Sequence, residues 1–259
     1  MIPNSSILKI WIITLFLITG LAVSGAAAPA IDITPHQKEQ LKALATDTRS
    51  KMEHERDNLR HARMELTQVY SNYNIDEHKV KALQERISTS QLNLLNAHLD
   101  NEIAIRSILS QDQFDTLRHM INPRGRNRRM LVQPPVEEAA FDHFPNKEIF
   151  DSIGLTPDQE KRIAKVLKIN QNRAKVIEKL RRNSKQMLDL YSNYNLDTAA
   201  AKKLIDSIHQ DQIAMLNAQR NRQVALRSVL SQDQFQKLHQ EIAKWIAEHR
   251  HPQQDGDEH

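Results

Sequence analysis

Two long stretches of this chain, residues 36–122 and 158–251, contain neither proline nor glycine. Strands must reverse direction every few residues, and tight reversals lean on those two residue types. Runs of this length without them therefore predict helical hairpins and an all-α fold. The remaining classes fall away on composition. A mean hydropathy of −0.61 excludes a polytopic membrane protein, and 39% apolar residues is too rich for wholesale disorder. The absence of cysteine removes disulfide scaffolds, thiolate zinc sites and cysteine nucleophiles.

The two stretches are copies of one another. Tyr70-Ser71-Asn72-Tyr73-Asn74-Ile75-Asp76 recurs as Tyr191-Ser192-Asn193-Tyr194-Asn195-Leu196-Asp197. Ile105-Arg106-Ser107-Ile108-Leu109-Ser110-Gln111-Asp112-Gln113-Phe114 recurs as Leu226-Arg227-Ser228-Val229-Leu230-Ser231-Gln232-Asp233-Gln234-Phe235. Pairing 70–121 with 191–242 at a constant offset of 121 gives 24 identities in 52 positions. Upstream, Ile33-Thr34-Pro35-His36-Gln37 matches Leu155-Thr156-Pro157-Asp158-Gln159 at an offset of 122.

Each copy reads as three helices. The first opens at Thr34 or Thr156 and runs to about Tyr70 or Tyr191. In copy two its apolar residues Ile163, Val166, Leu167, Ile177, Leu180, Met187, Leu188 and Tyr191 recur at spacings of three and four. A short turn through Ser-Asn-Tyr-Asn follows, and Asp76 or Asp197 caps a second helix of about 33 residues. A short third helix begins at Ser110 or Ser231. Four starts share a capping box: Thr34 with Gln37, Ser110 with Gln113, Thr156 with Gln159, and Ser231 with Gln234. In each the hydroxyl takes the N3 amide while the glutamine returns to the cap amide. Leu109 with Phe114, and Leu230 with Phe235, are spaced as hydrophobic staples. These motifs are read as structural.

The expected organisation is a leader at 1–27, repeat one at 32–122, a Pro/Arg-rich linker at 123–153, repeat two at 154–250 and a disordered tail at 251–259. The linker carries Pro123, Pro134, Pro135 and Pro145 with Arg124, Arg126, Arg128 and Arg129, and a short helix is expected near 137–143. Lys9, the uncharged run Ile10 to Val23 and the small residues from Ser24 to Ala28 have the form of a secretory signal peptide. The alternative is an uncleaved inner-membrane anchor, because the 22 residues from Ile10 to Ile31 carry no charge, close to the ~20 residues that span a bilayer. Under either reading the rest of the chain leaves the cytoplasm.

A leader followed by long helices bracketed by Leu-Thr-x-x-Gln resembles the Spy/CpxP family of periplasmic proteins, with the metal-responsive ZraP and CnrX proteins as neighbours. The matches are I-T-P-H-Q, L-S-Q-D-Q, L-T-P-D-Q and L-S-Q-D-Q, departing from the family pattern at Ile33, Ser110 and Ser231. The resemblance covers nearly all of 32–245. It implies an ATP-independent chaperone that holds unfolded or misfolded envelope proteins on a basic, partly apolar concave surface, without a required cofactor. Single-copy members form antiparallel cradle-shaped dimers. By that analogy this chain is an internal pseudo-dimer, with a homodimer as the other arrangement. The family also suggests an envelope stress sensor as a partner.

Candidate residues follow. Residues 160–186 hold ten Lys/Arg against Glu160 and Glu178, and Lys165, Lys168, Arg173, Lys175, Lys179, Arg181 and Arg182 are the candidate client-binding surface. Such a face attracts acidic clients in a salt-dependent way. The bland reading is a solvated helix face. His54, Asp57 and His61, at i, i+3 and i+7, are candidate ligands for a divalent transition metal; surface histidines are the bland reading. A metal-responsive sensor or scavenger of the ZraP/CnrX type is thus the alternative function. The Arg-rich linker suits an anionic membrane surface better than nucleic acid, which an exported chain does not meet. No G-x-S-x-G, H-E-x-x-H or P-loop pattern is present, and the chain is not expected to be an enzyme.

Overall fold

A computed structural model of the protein describes residues 31–121, 147–168 and 170–249. The expected leader, the helix expected near 137–143 and the tail at 251–259 lie outside the described residues. Among those described, every regular element is a helix. Copy one comprises α1 (Pro35–Tyr70), α2 (Glu77–Ile108) and α3 (Gln111–Ile121). Copy two comprises α4 (Lys147–Ser152), α5 (Pro157–Lys168), α6 (Asn170–Ser192), α7 (Thr198–Val229) and α8 (Gln232–His249).

The helix starts are where local chemistry puts them. Asp76 and Asp197 sit in extended backbone and accept from the amides of Lys79 and Ala200 at 3.0 and 2.9 Å. This satisfies one of the orphan amides of α2 and α7. At 1.5 Å per residue each of these 32-residue helices is about 48 Å long. Both staples form: Leu109, Phe114, Leu230 and Phe235 are all at most 3% exposed.

Two expectations need correction. The linker does not extend to 153, because α4 lies within that span and packs as part of copy two. Its Phe150 and the following Ile153 are buried with Ile163, Leu230, Phe235 and Leu238. A six-residue helix is too short to declare a period, and Pro145 just upstream suggested irregular chain. Gly154 follows at φ 69°, the left-handed turn that lets the chain enter the Thr156 cap. The third helix of copy two is also longer than expected, with 18 residues in α8 against 11 in α3. The expected first helix of copy two is described as α5 and α6, with Ile169 outside the described residues.

The copies pack on each other, antiparallel, along α2 and α7. Ser88 and His209 occupy equivalent positions, and the Ser88 hydroxyl lies 2.8 Å from His209 Nε2. A pseudo-two-fold axis therefore passes between them. The hairpin cores are shared across it: Leu216 of copy two is buried with Leu66, Val80, Leu83 and Ile87 of copy one. Reciprocally, Leu99 of copy one is buried with Leu180, Met187, Ile205 and Ile208 of copy two. Neither hairpin has a complete core alone.

Candidate functional site

The capping motifs do more than start helices. Gln37 Nε2 donates to Gln113 Oε1 at 2.9 Å, and Gln113 Nε2 donates back to Gln37 Oε1 at 3.2 Å. Gln37 also donates to the Ile108 carbonyl at 2.8 Å, and each Oε1 still accepts its own cap amide. Copy two repeats the arrangement between Gln159 and Gln234, at 2.8 and 3.1 Å, with further donations to the carbonyls of Val229 and Gly154. Each amide thus uses two donors and two acceptances, which is all it has. A capping box accepts glutamate as readily as glutamine; this reciprocal pair does not. The presence of glutamine in all four motifs was the available signal, and sequence reasoning passed over it.

The two best-preserved blocks of the repeat meet each other across the copies. Arg227 of copy two reaches the turn of copy one, where its Nη2 donates to the carbonyls of Tyr70 (2.6 Å) and Asn72 (2.7 Å) and its Nε to that of Tyr73 (2.9 Å). Those are the orphan carbonyls at the end of α1 and beyond, capped here by an arginine of the other copy. Tyr73 returns the contact by donating its hydroxyl to the Leu230 carbonyl at 3.0 Å. At the opposite end Arg106 of copy one donates to the carbonyls of Tyr191 (2.7 Å), Asn193 (2.8 Å) and Tyr194 (3.0 Å). The Tyr194 hydroxyl donates to the Leu109 carbonyl at 3.0 Å. Edge-to-face ring pairs complete both ends, Tyr73 with Phe235 and Phe114 with Tyr194, each with centroids 5.7 Å apart. The interface is isologous: the turn block of each copy fits the cap block of the other.

Burial sets the electrostatics of this interlock. It pushes the Tyr70 phenol up to about 12 and raises Tyr191 as well. Burial also draws Arg227 down to about 10, which leaves it charged at neutral pH. Beside the Arg106 end lies a shallow, open depression lined by Ile103, Arg106, Ser107, Tyr194, Asn195 and Leu196. Ile103 and its counterpart Val224 are exposed at 40% and 43%, one at each end of the molecule.

The predicted client-binding cations do not form one face. Lys175, Lys179 and Arg182 share a side of α6 by their spacing, whereas Arg181 points about 100° away. Lys165, Lys175, Arg181 and Arg182 are exposed; Lys168 and Arg173 fall on the same pair of helices. Lys179 is tied to the half-hidden polar interior: its Nζ pairs at 2.8 Å with Asp211, which is 7% exposed and also faces Asn183. Arg182 lies 3.7 Å from Glu178.

His54, Asp57 and His61 are exposed along α1 and do not converge. Asp57 is held by Arg60 at 2.7 Å, and the Asn58 amide lies 3.1 Å from His54 Nε2. His54 and His61 are two helical turns apart, about 10 Å along the axis, and among the described residues no second helix brings a ligand to them. Among the described residues no three His, Asp or Glu side chains gather as a metal-binding group.

Among the described residues, no helix is long and apolar enough to cross a membrane. No curated protein and no solved structure matches the chain. A family model, the LTXXQ motif family protein, matches it twice, over residues 25–119 and 141–241. The second match begins upstream of α4, in agreement with the packing of that helix into copy two. With both copies matched across well over half of its length, the chain belongs to the LTXXQ motif family, the family of Spy/CpxP-type proteins.

Proposed function

We propose that this protein is an ATP-independent chaperone of the periplasm, holding unfolded or stress-damaged envelope proteins. The reciprocal interlock carries the reading: it builds from one chain the antiparallel pair of hairpins on which the family resemblance places client binding. The exposed cations Lys165, Lys175, Arg181 and Arg182 supply long-range attraction to acidic clients. The exposed aliphatic side chains of Ile103 and Val224 supply apolar contact at either end. Export through the leader at 1–27 puts the protein beside its clients, and family members are typically periplasmic. The work asked of it is binding without chemistry.

The test is light scattering of a chemically denatured client diluted into buffer with excess chelator and no ATP. Suppression of aggregation near stoichiometric ratios is the expected result, weakening as salt is raised from about 0.05 to 0.5 M. No suppression at tenfold molar excess would overturn the proposal.

A further inference from the structure

The two ends of the molecule carry the same ring cluster with different charges. At the copy-one cap, Phe114 lies under two permanent cations, Arg106 at 4.5 Å and Arg118 at 4.9 Å from its centroid. Glu102 neutralises them, meeting Arg106 at 2.7 Å and Arg118 more closely still. At the copy-two cap, Phe235 lies under Arg227 at 4.3 Å, and His239 replaces Arg118, its ring centred 4.5 Å from that of Phe235. Gln223 replaces Glu102 and accepts from Arg227 at 2.8 Å. Copy one therefore shows what a second cation at this place requires, which is a carboxylate between the two. Copy two lacks it and holds together while the imidazole is neutral.

We propose that acid opens one end of the molecule and leaves the other closed: a proton on His239 sets a second cation beside Arg227 with no carboxylate between them, and the copy-one turn lifts from the copy-two cap. The groups facing His239 agree. Arg227 comes from α7, and the Tyr73 ring of the copy-one turn packs on the same Phe235; on α4, which packs against α8, Asp151 is exposed to solvent. On α8 itself Lys237 and Glu241 are two residues away, on the far side of the helix. Glu77 acts on Arg227 but is already held by Arg220 at 2.7 Å. Burial, and then Arg227, hold His239 below its ordinary 6.5. The closed end binds the proton more weakly than the open one, so closure is lost as pH falls below 6.5. Opening takes Tyr73 off Phe235, 1% exposed when closed, and frees the Leu230 carbonyl.

The chain has no cysteine, so spin labels can be placed at will on the full-length protein. One pair, N74C with S228C, reports the copy-two cap; its equivalent, N195C with S107C, reports the copy-one cap. Both are made in an H98Q background, because His98 in copy one also resists protonation. Between pH 7.5 and 5 the first distance distribution is expected to lengthen and broaden while the second stays fixed. His239→Arg should open the first pair already at pH 7.5, and Q223E/H239R, the chemistry of copy one, should close it at both pH values. Equal response of both pairs, response of neither, or a closed His239→Arg protein at pH 7.5 would overturn the proposal. So would failure of Q223E to restore closure, which also separates charge repulsion from simple misfolding of the H239R protein.

Discussion

Copy one and copy two differ most where they bury polar groups. In copy one the cap is charged, with Glu102 between Arg106 and Arg118, while the middle of the hairpin is apolar around Ala62, Leu66 and Ile87. In copy two the cap holds Arg227, and Arg162 on the Ser228 carbonyl at 2.8 Å, with Gln223 and His239 in the places of Glu102 and Arg118, while the middle is polar. There Asn183 replaces Ala62 and Asp211 replaces Ser90, and Lys179 closes the group. The backbone path and the interlock are shared; the charges have been redistributed. Duplication fixed a geometry that each copy needs from the other, and the positions not engaged in that exchange were free to diverge.

The largest effects should come from the elements the copies share. Arg106→Ala and Arg227→Ala each leave the carbonyls of a helix end uncapped within a packed interface. Each is expected to lower stability by about 3–5 kcal/mol, the range for removing one partner from a buried charged network. Arg106→Ala should be the worse of the two, because it also leaves Glu102, whose side chain is 13% exposed, with Arg118 as its sole cation. Urea denaturation of the two variants tests the order, and a larger loss for Arg227→Ala would break the account of the charged cap.

A pH effect of up to about 3 kcal/mol should come from His98 in copy one, on top of that from His239 in copy two. Burial, and then Arg56, lower His98 to about 4, while Glu102 opposes them. Gln219 stands at the equivalent place in copy two. Since the folded value is depressed, the unfolded chain binds the proton more readily, and stability is lost as pH falls from 6.5 toward 4. His98→Gln should reduce the slope of the stability profile in that window, leaving the part that belongs to His239. An unchanged slope would show that His98 is wetter than its surroundings imply.

The motif glutamines should behave alike in both copies. Gln37→Glu and Gln159→Glu keep the capping box but replace a donor by an acceptor facing Gln113 or Gln234. A loss of about 1–3 kcal/mol is expected for each, the cost of an unsatisfied half-buried group. Equal losses would support the view that the clasp is independent of the charge differences around it. A capping role alone predicts no loss.

These residues also mark what sequence could and could not disclose. The caps, staples, turns and the duplication are local or periodic, so Thr34, Asp76, Ser110 and Phe114 could be read from spacing alone. The reason that Tyr-Ser-Asn-Tyr and Arg-Ser survive in both copies could not, because Tyr73 meets Leu230 more than 150 residues away. The cations of 160–186 were counted as a run, yet Lys179 is spent on Asp211, a partner 32 residues distant. Likewise His54, Asp57 and His61 have suitable types and spacing on one helix, but spacing does not say whether a second element joins them, and among the described residues none does.

The smallest expected effect is the most exacting test of the comparison. Asp211→Ser alone should cost about 1–2 kcal/mol, since it takes the acceptor from half-exposed Lys179 and leaves buried Asn183 with Ser207 alone. Lys179→Asn, Asn183→Ala and Asp211→Ser together install the residues of copy one at 58, 62 and 90. Removing a buried ion pair together with its partners costs far less than leaving one charge without its partner, so the triple variant, which restores the copy-one set, should fall within about 1 kcal/mol of the parent. The non-additivity is the point: a triple variant as damaged as the sum of its singles would mean that α6 and α7 have diverged in backbone as well as in charge. The two copies would then no longer be interchangeable solutions of one packing problem.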